Sequence, residues 1–493
     1  MSQQVHHPLV LGAGESGLGA ALLAQALGLR PFVSDHGKLG EAAAAELDGA
    51  GIAWEDGGHS AAALAGVQLA IKSPGIPDSA PAVLALRAAG CEVISEIEFA
   101  SRHCGTARVV AITGSNGKTT TTALTHAILR DAGISVACVG NIGPSWARDC
   151  AARRAQGLPF PDCYVVEVSS FQLDGCTTFR PDIAILLNIT PDHLDRYGYD
   201  LDRYADSKWR ITAQQTPADL LVLNAEDELS RVRWAGGGAS GASGEAAATG
   251  GAAAAQPGTR ARVVAFSTEC TTSDLRDTLA QAGLQPAGLC ALADGNPEQF
   301  EFTTPPQTPF VMNIRDLALQ GKHNLQNSMA ASVASRALEI RKDSIRESLK
   351  AFDAIEHRME FVQSVNGIRF INDSKATNVN SAWFALESIP GPIIWIAGGV
   401  DKGNDYTSLL HLVADKVEHL VCLGRDNAKL RATFADKVST VTEVDTAAAA
   451  VQAAYDLASP GHTVLLSPAC ASFDLFGNYE ERGRAFKAAV RAL

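Results

Sequence analysis

The sequence predicts an α/β protein of three successive domains. Three observations carry this. Short β-rich runs alternate with Ala- and Leu-rich helical stretches throughout, the pattern of parallel strands with helices on both faces. The chain is 493 residues long, and a usual domain takes roughly 100–200. Two Gly-rich segments, 12–17 and 114–117, each follow an apolar β run and precede a helical stretch.

The first unit opens with the run Pro8–Leu11, a Gly-rich turn and a helix. The second opens at Arg108–Ile112 and continues through Tyr164–Val168, Ile183–Ile189, Leu220–Leu223 and Arg262–Phe266. The third runs from Ile368–Asn372 through Ile393–Ala397 and Leu420–Leu423 to Thr463–Leu466. Boundaries near Gly105 and Ile355 divide the chain into 1–105, 106–354 and 355–493. Residues 235–258 are almost entirely Ala, Gly and Ser. Such a stretch buries too little apolar surface to offset its ordering entropy, and it reads as a disordered surface insertion in the second domain.

Hydrophobic residues make up 46% of the chain, enough for several cores, and the net charge is −13. An acidic surface excludes non-specific nucleic-acid binding and attraction to anionic membranes. An anionic substrate therefore needs locally placed cations and helix N-termini. The ten cysteines form no C-x-x-C pair and no zinc spacing, and so read as reduced thiols. Neither a signal peptide nor a membrane span is visible. The expectation is a cytoplasmic monomer that inserts into no membrane and binds no nucleic acid.

The run Arg108–Ile112 leads into Thr113-Gly114-Ser115-Asn116-Gly117-Lys118-Thr119-Thr120 and then a helix. Glycines let backbone N–H groups turn toward phosphate oxygens, and the helix N-terminus adds a field that favours an anion. Lys118 is placed to reach the β- and γ-phosphates of ATP, and the Thr119 hydroxyl to ligate Mg²⁺. The strict pattern wants glycine where Ile112 stands, so a plain Gly-rich turn is the alternative. Glu167 ends the next strong strand, where ligands of open parallel sheets gather. A lone Glu there is more often solvated or capping; its pairing with the loop favours a metal role.

The earlier loop, Gly12-Ala13-Gly14-Glu15-Ser16-Gly17, matches a dinucleotide fingerprint, with Asp35 closing the next strand. Alone it suggests NAD, but the rest of the chain offers no hydride-transfer site. The same Rossmann-like geometry cradles any pyrophosphate.

Several stretches together resemble the Mur ligase family, and within it the members that add D-glutamate. They are TGSNGKTT (113–120), Gly140-Asn141, EVSSFQL (167–173), NITPDHLDRY (188–197), YADSKWRI (204–211), LVLNAED (221–227), GKHNLQN (321–327) and EHRME (356–360). INDSKATN (371–378), AGGVDKG (397–403) and SPACASFDLFGNYEERGRAF (467–486) follow in the family's order. The central motifs are shared with folylpolyglutamate synthases; those around Lys375 and Cys470 look specific to the D-glutamate enzymes.

The resemblance implies a Rossmann-like first domain, a P-loop-type central ATPase domain and a Rossmann-like third domain. It implies an ATP-dependent ligase that joins D-glutamate to UDP-N-acetylmuramoyl-L-alanine through an acyl phosphate, for peptidoglycan. Gly114, Ser115, Asn116, Gly117, Lys118, Thr119 and Thr120 would hold ATP, with Asn324 and Asn327 on the adenine side and Arg358 and Asp373 from the third domain. Thr119 and Glu167 would ligate the first of two Mg²⁺ ions and His193 the second, with Lys208 as a carbamate bridging toward it. Ser16, Asp35 and His36 would lie near uridine, and Asn141 on the UDP-sugar. Lys375, Thr377, Lys402, Ser472 and Phe473 would form the D-glutamate pocket, closed by Tyr479.

Plainer readings stand beside these. His193 resembles a surface or satisfied core histidine, Lys208 a solvated helix lysine, and Arg358 and Lys402 ordinary surface charges. Phe473 and Tyr479 are aromatics that either reading requires to be partly buried. Cys470 has no neighbouring His motif and reads as structural. The rivals in function are another Mur ligase or a folylpolyglutamate synthase-like amide ligase, an NAD-dependent dehydrogenase, and a nucleotide switch without chemistry.

Overall fold

A computed structural model describes residues 7–192, 194–236, 259–303, 309–352, 356–401 and 404–493. His193, Lys402, Ile355 and positions 237–258 of the expected insertion lie outside the described residues. The chain forms two compact units, Met1–Phe352 and Asp353–Leu493.

The first unit holds two sheets. One consists of β1 (Leu9–Leu11), β2 (Phe32–Ser34), β3 (Ala53–Glu55), β4 (Leu69–Lys72) and β5 (Glu92–Ser95), all parallel, in the order β3-β2-β1-β4-β5. The chain leaves β1 toward one edge and returns to its other side at β4. That reversal opens a crevice at the carboxyl end of β1, above Gly12. The other sheet is built from β6 (Arg108–Thr113), β7 (Val136–Gly140), β8 (Cys163–Glu167), β9 (Ile183–Leu186), β10 (Leu220–Asn224), β11 (Arg262–Thr271), β12 (Gly288–Ala293), β13 (Asn296–Thr303) and β14 (Phe310–Asn313). Its order is β14-β13-β12-β11-β10-β9-β6-β8-β7, and the same reversal falls at β6, under the second Gly loop.

Strands β8, β9 and β10 are buried at every position, as continuous apolar runs covered on both faces should be. Ile128 and the helix Lys322–Ala337, with Met329 and Val333, cover one face. Trp146, Tyr164 and Phe179 pack on the other, in a core shared with Leu18, Leu23 and Phe99 from the first sheet's elements.

The sequence reads as parallel throughout, and one edge of this sheet departs from that. Strands β12–β13 and β13–β14 pair antiparallel. Asp294-Gly295, with Gly295 at φ +78°, reverses the chain within a tight turn, which leaves no room for a crossover helix.

The second unit contains β15 (Glu360–Val365), β16 (Ile368–Asn372), β17 (Ile393–Ala397), β18 (Val417–Leu423), β19 (Thr440–Val444) and β20 (Thr463–Leu466), in the order β15-β16-β20-β17-β18-β19. It too has an antiparallel edge: β15 and β16 form a hairpin over Asn366-Gly367, both at positive φ, a favoured two-residue turn. β20 inserts between β16 and β17, so the loops after all three strands meet at one end of the sheet.

Candidate active site

The turn after β6 is shaped by Gly117, at φ +83°, which caps the helix Lys118–Asp131. A Cβ there would strike Asn327 Oδ1, so the helix Lys322–Ala337 approaches the loop closely because residue 117 has no side chain. The loop is pinned from two sides. Ser115 Oγ donates to Thr190 O (2.8 Å) and accepts from Thr190 N–H (2.9 Å), and Asn116 N–H donates to Asn188 Oδ1 (2.9 Å). Thr121 Oγ1 donates to Asn327 Oδ1 (3.1 Å), and Asn327 donates to Asn324 Oδ1 (3.4 Å). Thr119 and Thr120 are buried under the turn. The structure thus brings Gly114–Thr120, Asn324 and Asn327 to one place.

Two lysine amines converge on that turn. Lys118 Nζ curls back to donate to Gly114 O (2.7 Å) and Ser115 O (2.9 Å). Lys208, on the helix Leu201–Trp209, donates to the same Gly114 O (2.8 Å). It is 1% exposed, so the solvated reading of this lysine does not hold. Burial, reinforced by the charge of Lys118, holds its amine well below the ordinary lysine range.

Glu167 lies beside Ile112 in the pairing of β6 with β8 and is 1% exposed. Oε1 accepts from Asn141 Nδ2 (2.9 Å), while Oε2 is buried with no hydrogen-bond partner among the described residues. A buried carboxylate oxygen left bare is costly unless something fills its lone pairs. Together with the Thr119 hydroxyl it offers the hard oxygen donors that Mg²⁺ takes. Among the described residues no three His, Cys, Asp or Glu side chains cluster as a metal site. The expected donors are instead a hydroxyl, one carboxylate, a modified lysine and His193, which is not described.

At the first Gly loop, Asp35 accepts from Ala13 N–H (2.7 Å) and Gly37 N–H (2.8 Å). Ser16 is half-buried in the first turn of the helix Glu15–Ala26, and His36 is exposed with its ring 6.0 Å from that of His59. Glu15 reaches away, accepting from Ser145 N–H (2.9 Å) and Arg148 Nε (2.8 Å).

In the second unit, the loops after β16, β17 and β20 form a compact polar end. Asp373 accepts from Ser467 Oγ (3.0 Å) and Met359 N–H (3.2 Å), and burial pushes its carboxyl up to about 7 against the pull of Arg358. Lys375 Nζ lies 5.3 Å from the Tyr479 ring centroid, within cation–π range. Thr377 N–H donates to Lys375 O (2.8 Å), and Ser472 is buried. Tyr479 is half-buried as expected, but Phe473 is 69% exposed, which corrects the expectation of partial burial. It sits in the loop after β20, beside the buried Ser472, with its own side chain turned out. Cys470 is buried against Tyr406 OH (3.1 Å), in keeping with a structural thiol.

The sequence reading passed over Arg482. It is 1% exposed and donates to Ser374 Oγ (3.0 Å), Ser374 O (2.8 Å), Gly398 O (3.4 Å) and Cys470 O (3.4 Å). One guanidinium thereby ties all three loops together. Its only sequence signal is an arginine on the apolar side of the helix Tyr479–Arg491, near Phe486 and Val490.

Comparison with known proteins agrees with this geometry. A family model described as Mur ligase middle domain matches residues 112–276, and one described as Mur ligase, glutamate ligase domain, matches 357–470. The UDP-N-acetylmuramoylalanine–D-glutamate ligase of Christiangramia forsetii is 44% identical over 485 residues, covering 98% of this chain and 99% of the relative. The protein of the same name from Porphyromonas gingivalis is 45% identical over 482 residues, covering 98% of each. Among solved structures, UDP-N-acetylmuramate-alanine ligase MurC from Thermotoga maritima aligns with a TM-score of 0.56 at 18% identity, over 99% of this chain and 100% of that one. The MurF ligase from the same organism, in complex with ADP, aligns with 0.57 at 14%, over 100% of both. At these identities the structures speak for the fold alone.

Proposed function

The chain belongs to the Mur ligase family, and on that premise we propose that it joins D-glutamate to UDP-N-acetylmuramoyl-L-alanine at the expense of ATP. The observation that carries the reading is the convergence of Lys118, Lys208 and the bare Glu167 Oε2 on one phosphate loop. The choice of acceptor and amino acid rests on the names of the full-length relatives.

A carboxylate does not condense with an amine directly, because oxide is a poor leaving group. The substrate's alanyl carboxylate attacks the γ-phosphorus of ATP, releases ADP and becomes an acyl phosphate. The amine of D-glutamate then attacks the acyl carbon, and the tetrahedral intermediate expels phosphate. Both steps crowd anions together. Lys118, uncurled from Gly114 O, is the cation for the transferring phosphoryl group. Lys375, Thr377, Lys402 and Ser472 supply the cation and hydroxyl donors that a dicarboxylic amino acid needs, with Phe473 and Tyr479 flanking them. Asn324 and Asn327 take the adenine side, Arg358 and Asp373 complete the ATP contacts, and Ser16, Asp35, His36 and Asn141 hold the UDP-sugar.

Thr119, Glu167, His193 and a carbamylated Lys208 would hold two Mg²⁺ ions, which when bound neutralise the phosphate charge. The buried, neutral-leaning amine of Lys208 supports the carbamate, since CO₂ adds only to an uncharged amine. The three sheets support domains at 1–105, 106–354 and 355–493. We also propose a cytoplasmic monomer. All ten cysteines are free thiols, and among the described residues no helix is long and apolar enough to cross a membrane.

Phosphate release with UDP-N-acetylmuramoyl-L-alanine and ATP tests the reading. Release that requires D-glutamate and fails with L-glutamate is expected. Release independent of either amino acid, or none at all, would overturn it.

A further inference from the structure

Arg196 has no assigned role in the reaction, yet it occupies a junction. Its Nη1 donates to Gly75 O (2.9 Å), and its Nη2 donates to Pro74 O (3.0 Å) and Ile76 O (3.2 Å). The guanidinium lies 4.3 Å from the centroid of the Phe171 ring, which stacks in turn on Tyr197 at 6.0 Å and 17°. Tyr197 OH is anchored on Asp174 Oδ2 (2.9 Å) and Ser207 Oγ (3.2 Å).

The two segments joined by this arginine end on the two Gly loops. The segment after β4 begins at Ser73, whose N–H donates to Leu11 O (2.9 Å) and whose Oγ lies 3.5 Å from Gly12 O. On the other side, Tyr197, next to Arg196, donates toward Ser207, whose neighbour Lys208 donates to Gly114 O of the phosphate loop (2.8 Å). A path over described residues therefore runs from Gly12 through Ser73 and residues 74–76 to Arg196, and from the adjoining Tyr197 through Ser207 and its neighbour Lys208 to Gly114 O. Its middle link is a planar fork that meets three carbonyls while lying on an aromatic face, a geometry that an ammonium cannot copy.

We infer that Arg196 is a positioning residue that sets the separation of the two Gly loops, and so of the nucleotide end of the sugar substrate from its reacting carboxylate. The inference rests on the proposed binding of the UDP moiety at the first loop. A misplacement of about 1 Å between a remote anchor and the reacting centre is enough to cost a large factor in rate. The effect must depend on the substrate reaching both loops.

The test compares Arg196→Ala and Arg196→Lys with the wild type on two acceptors, UDP-N-acetylmuramoyl-L-alanine and 1-phospho-N-acetylmuramoyl-L-alanine. The second carries the same reacting carboxylate and lacks the uridylyl group. Both variants should lose about tenfold or more in kcat/KM with the UDP substrate. They should lose less than about threefold with the shorter acceptor and keep the wild-type KM for ATP. Equal losses on both acceptors would mean local damage to residues 190–197 and overturn the inference, as would no loss on either. A wild type that uses both acceptors with equal kcat/KM would instead overturn the nucleotide reading of the first loop.

Discussion

The two Gly loops of the first unit stand at equivalent places, each at the carboxyl end of the strand where its sheet reverses direction, and they are held by different groups. The first is tied by a carboxylate: Asp35 takes the N–H groups of Ala13 and Gly37. The second is tied by lysine amines: Lys118 and Lys208 both donate to Gly114 O, beside a carboxylate oxygen with no hydrogen-bond partner among the described residues. Glycines at such a turn say only that a ligand comes close to the backbone. The charges around it say what happens there. A carboxylate among the loop's N–H groups supplies nothing that would stabilise charge on a departing phosphate. A loop with Lys118, a second lysine amine and a bare hard oxygen suits a phosphate that is transferred.

The sharpest way to break this contrast is Lys118→Ala. Turnover should fall by about 10²–10³-fold, as when one preorganised donor to developing charge is lost, with melting temperature little changed. Near-normal phosphate release would remove the second loop from the chemistry. Lys208→Ala should fall by a similar factor, but here acetate or formate should restore part of the rate by standing in for the carbamate oxygens. Failure of both acids to rescue, together with an unmodified amine in the Mg-ATP complex, would return Lys208 to a packing role.

Asp35→Ala probes the other side of the contrast and should be milder. Two loop N–H groups lose their acceptor, and KM for the UDP substrate should rise roughly tenfold while KM for ATP holds. Equal changes in both constants would mean that the two loops are not separate in function.

How much of this was open to a reader of the sequence depended on distance along the chain. Ile368–Asn372, Ile393–Ala397 and Thr463–Leu466 are strands to the residue, because short β-rich runs need only local reading. The antiparallel edge β12–β14 had a signal in Asp294-Gly295, outweighed by the parallel pattern around it. The placement of Lys118 just after the Gly turn and of Glu167 at a strand end is legible locally. The burial of Lys208 does not, since a helix lysine is solvated unless another segment covers it, and here the cover is a loop 94 residues away. Arg196 and Arg482 are invisible for the same reason: most of their hydrogen bonds go to backbone carbonyls, which every residue has. Phe473 shows the converse error, an aromatic judged by type where its exposed place in the loop decides.

The smallest expected effect concerns the piece that joins the two loops. Glu15, from the first loop's helix, and Glu96 both accept backbone N–H groups at the start of the helix Trp146–Gln156, from Ser145 (2.9 Å) and Ala147 (2.6 Å). The turn just before that helix carries Asn141, bonded to Glu167. Burial pushes the Glu96 carboxyl up to about 7 from an unfolded value of 4.5; the Ala147 amide opposes this and the charge of Glu15 adds to it. Below pH 4.5 both states hold the proton and the site contributes no pH dependence. Between 4.5 and 7 the folded state keeps a proton that the unfolded state has lost, so stability falls as pH rises, and above 7 the loss is complete. The full penalty is at most of order 3 kcal/mol. Glu96→Gln keeps an acceptor for Ala147 and removes the charge. Calorimetry from pH 5 to 8 should show the variant gaining stability over the wild type as pH rises, with kcat within about twofold because neither loop loses a ligand contact. Asp373, also raised to about 7, lies in the other unit and is untouched by the substitution, so its contribution cancels in the comparison. Parallel stability curves would mean that Glu96 is charged at neutral pH. The helix start would then be held by two carboxylates, with the helix dipole offsetting their burial.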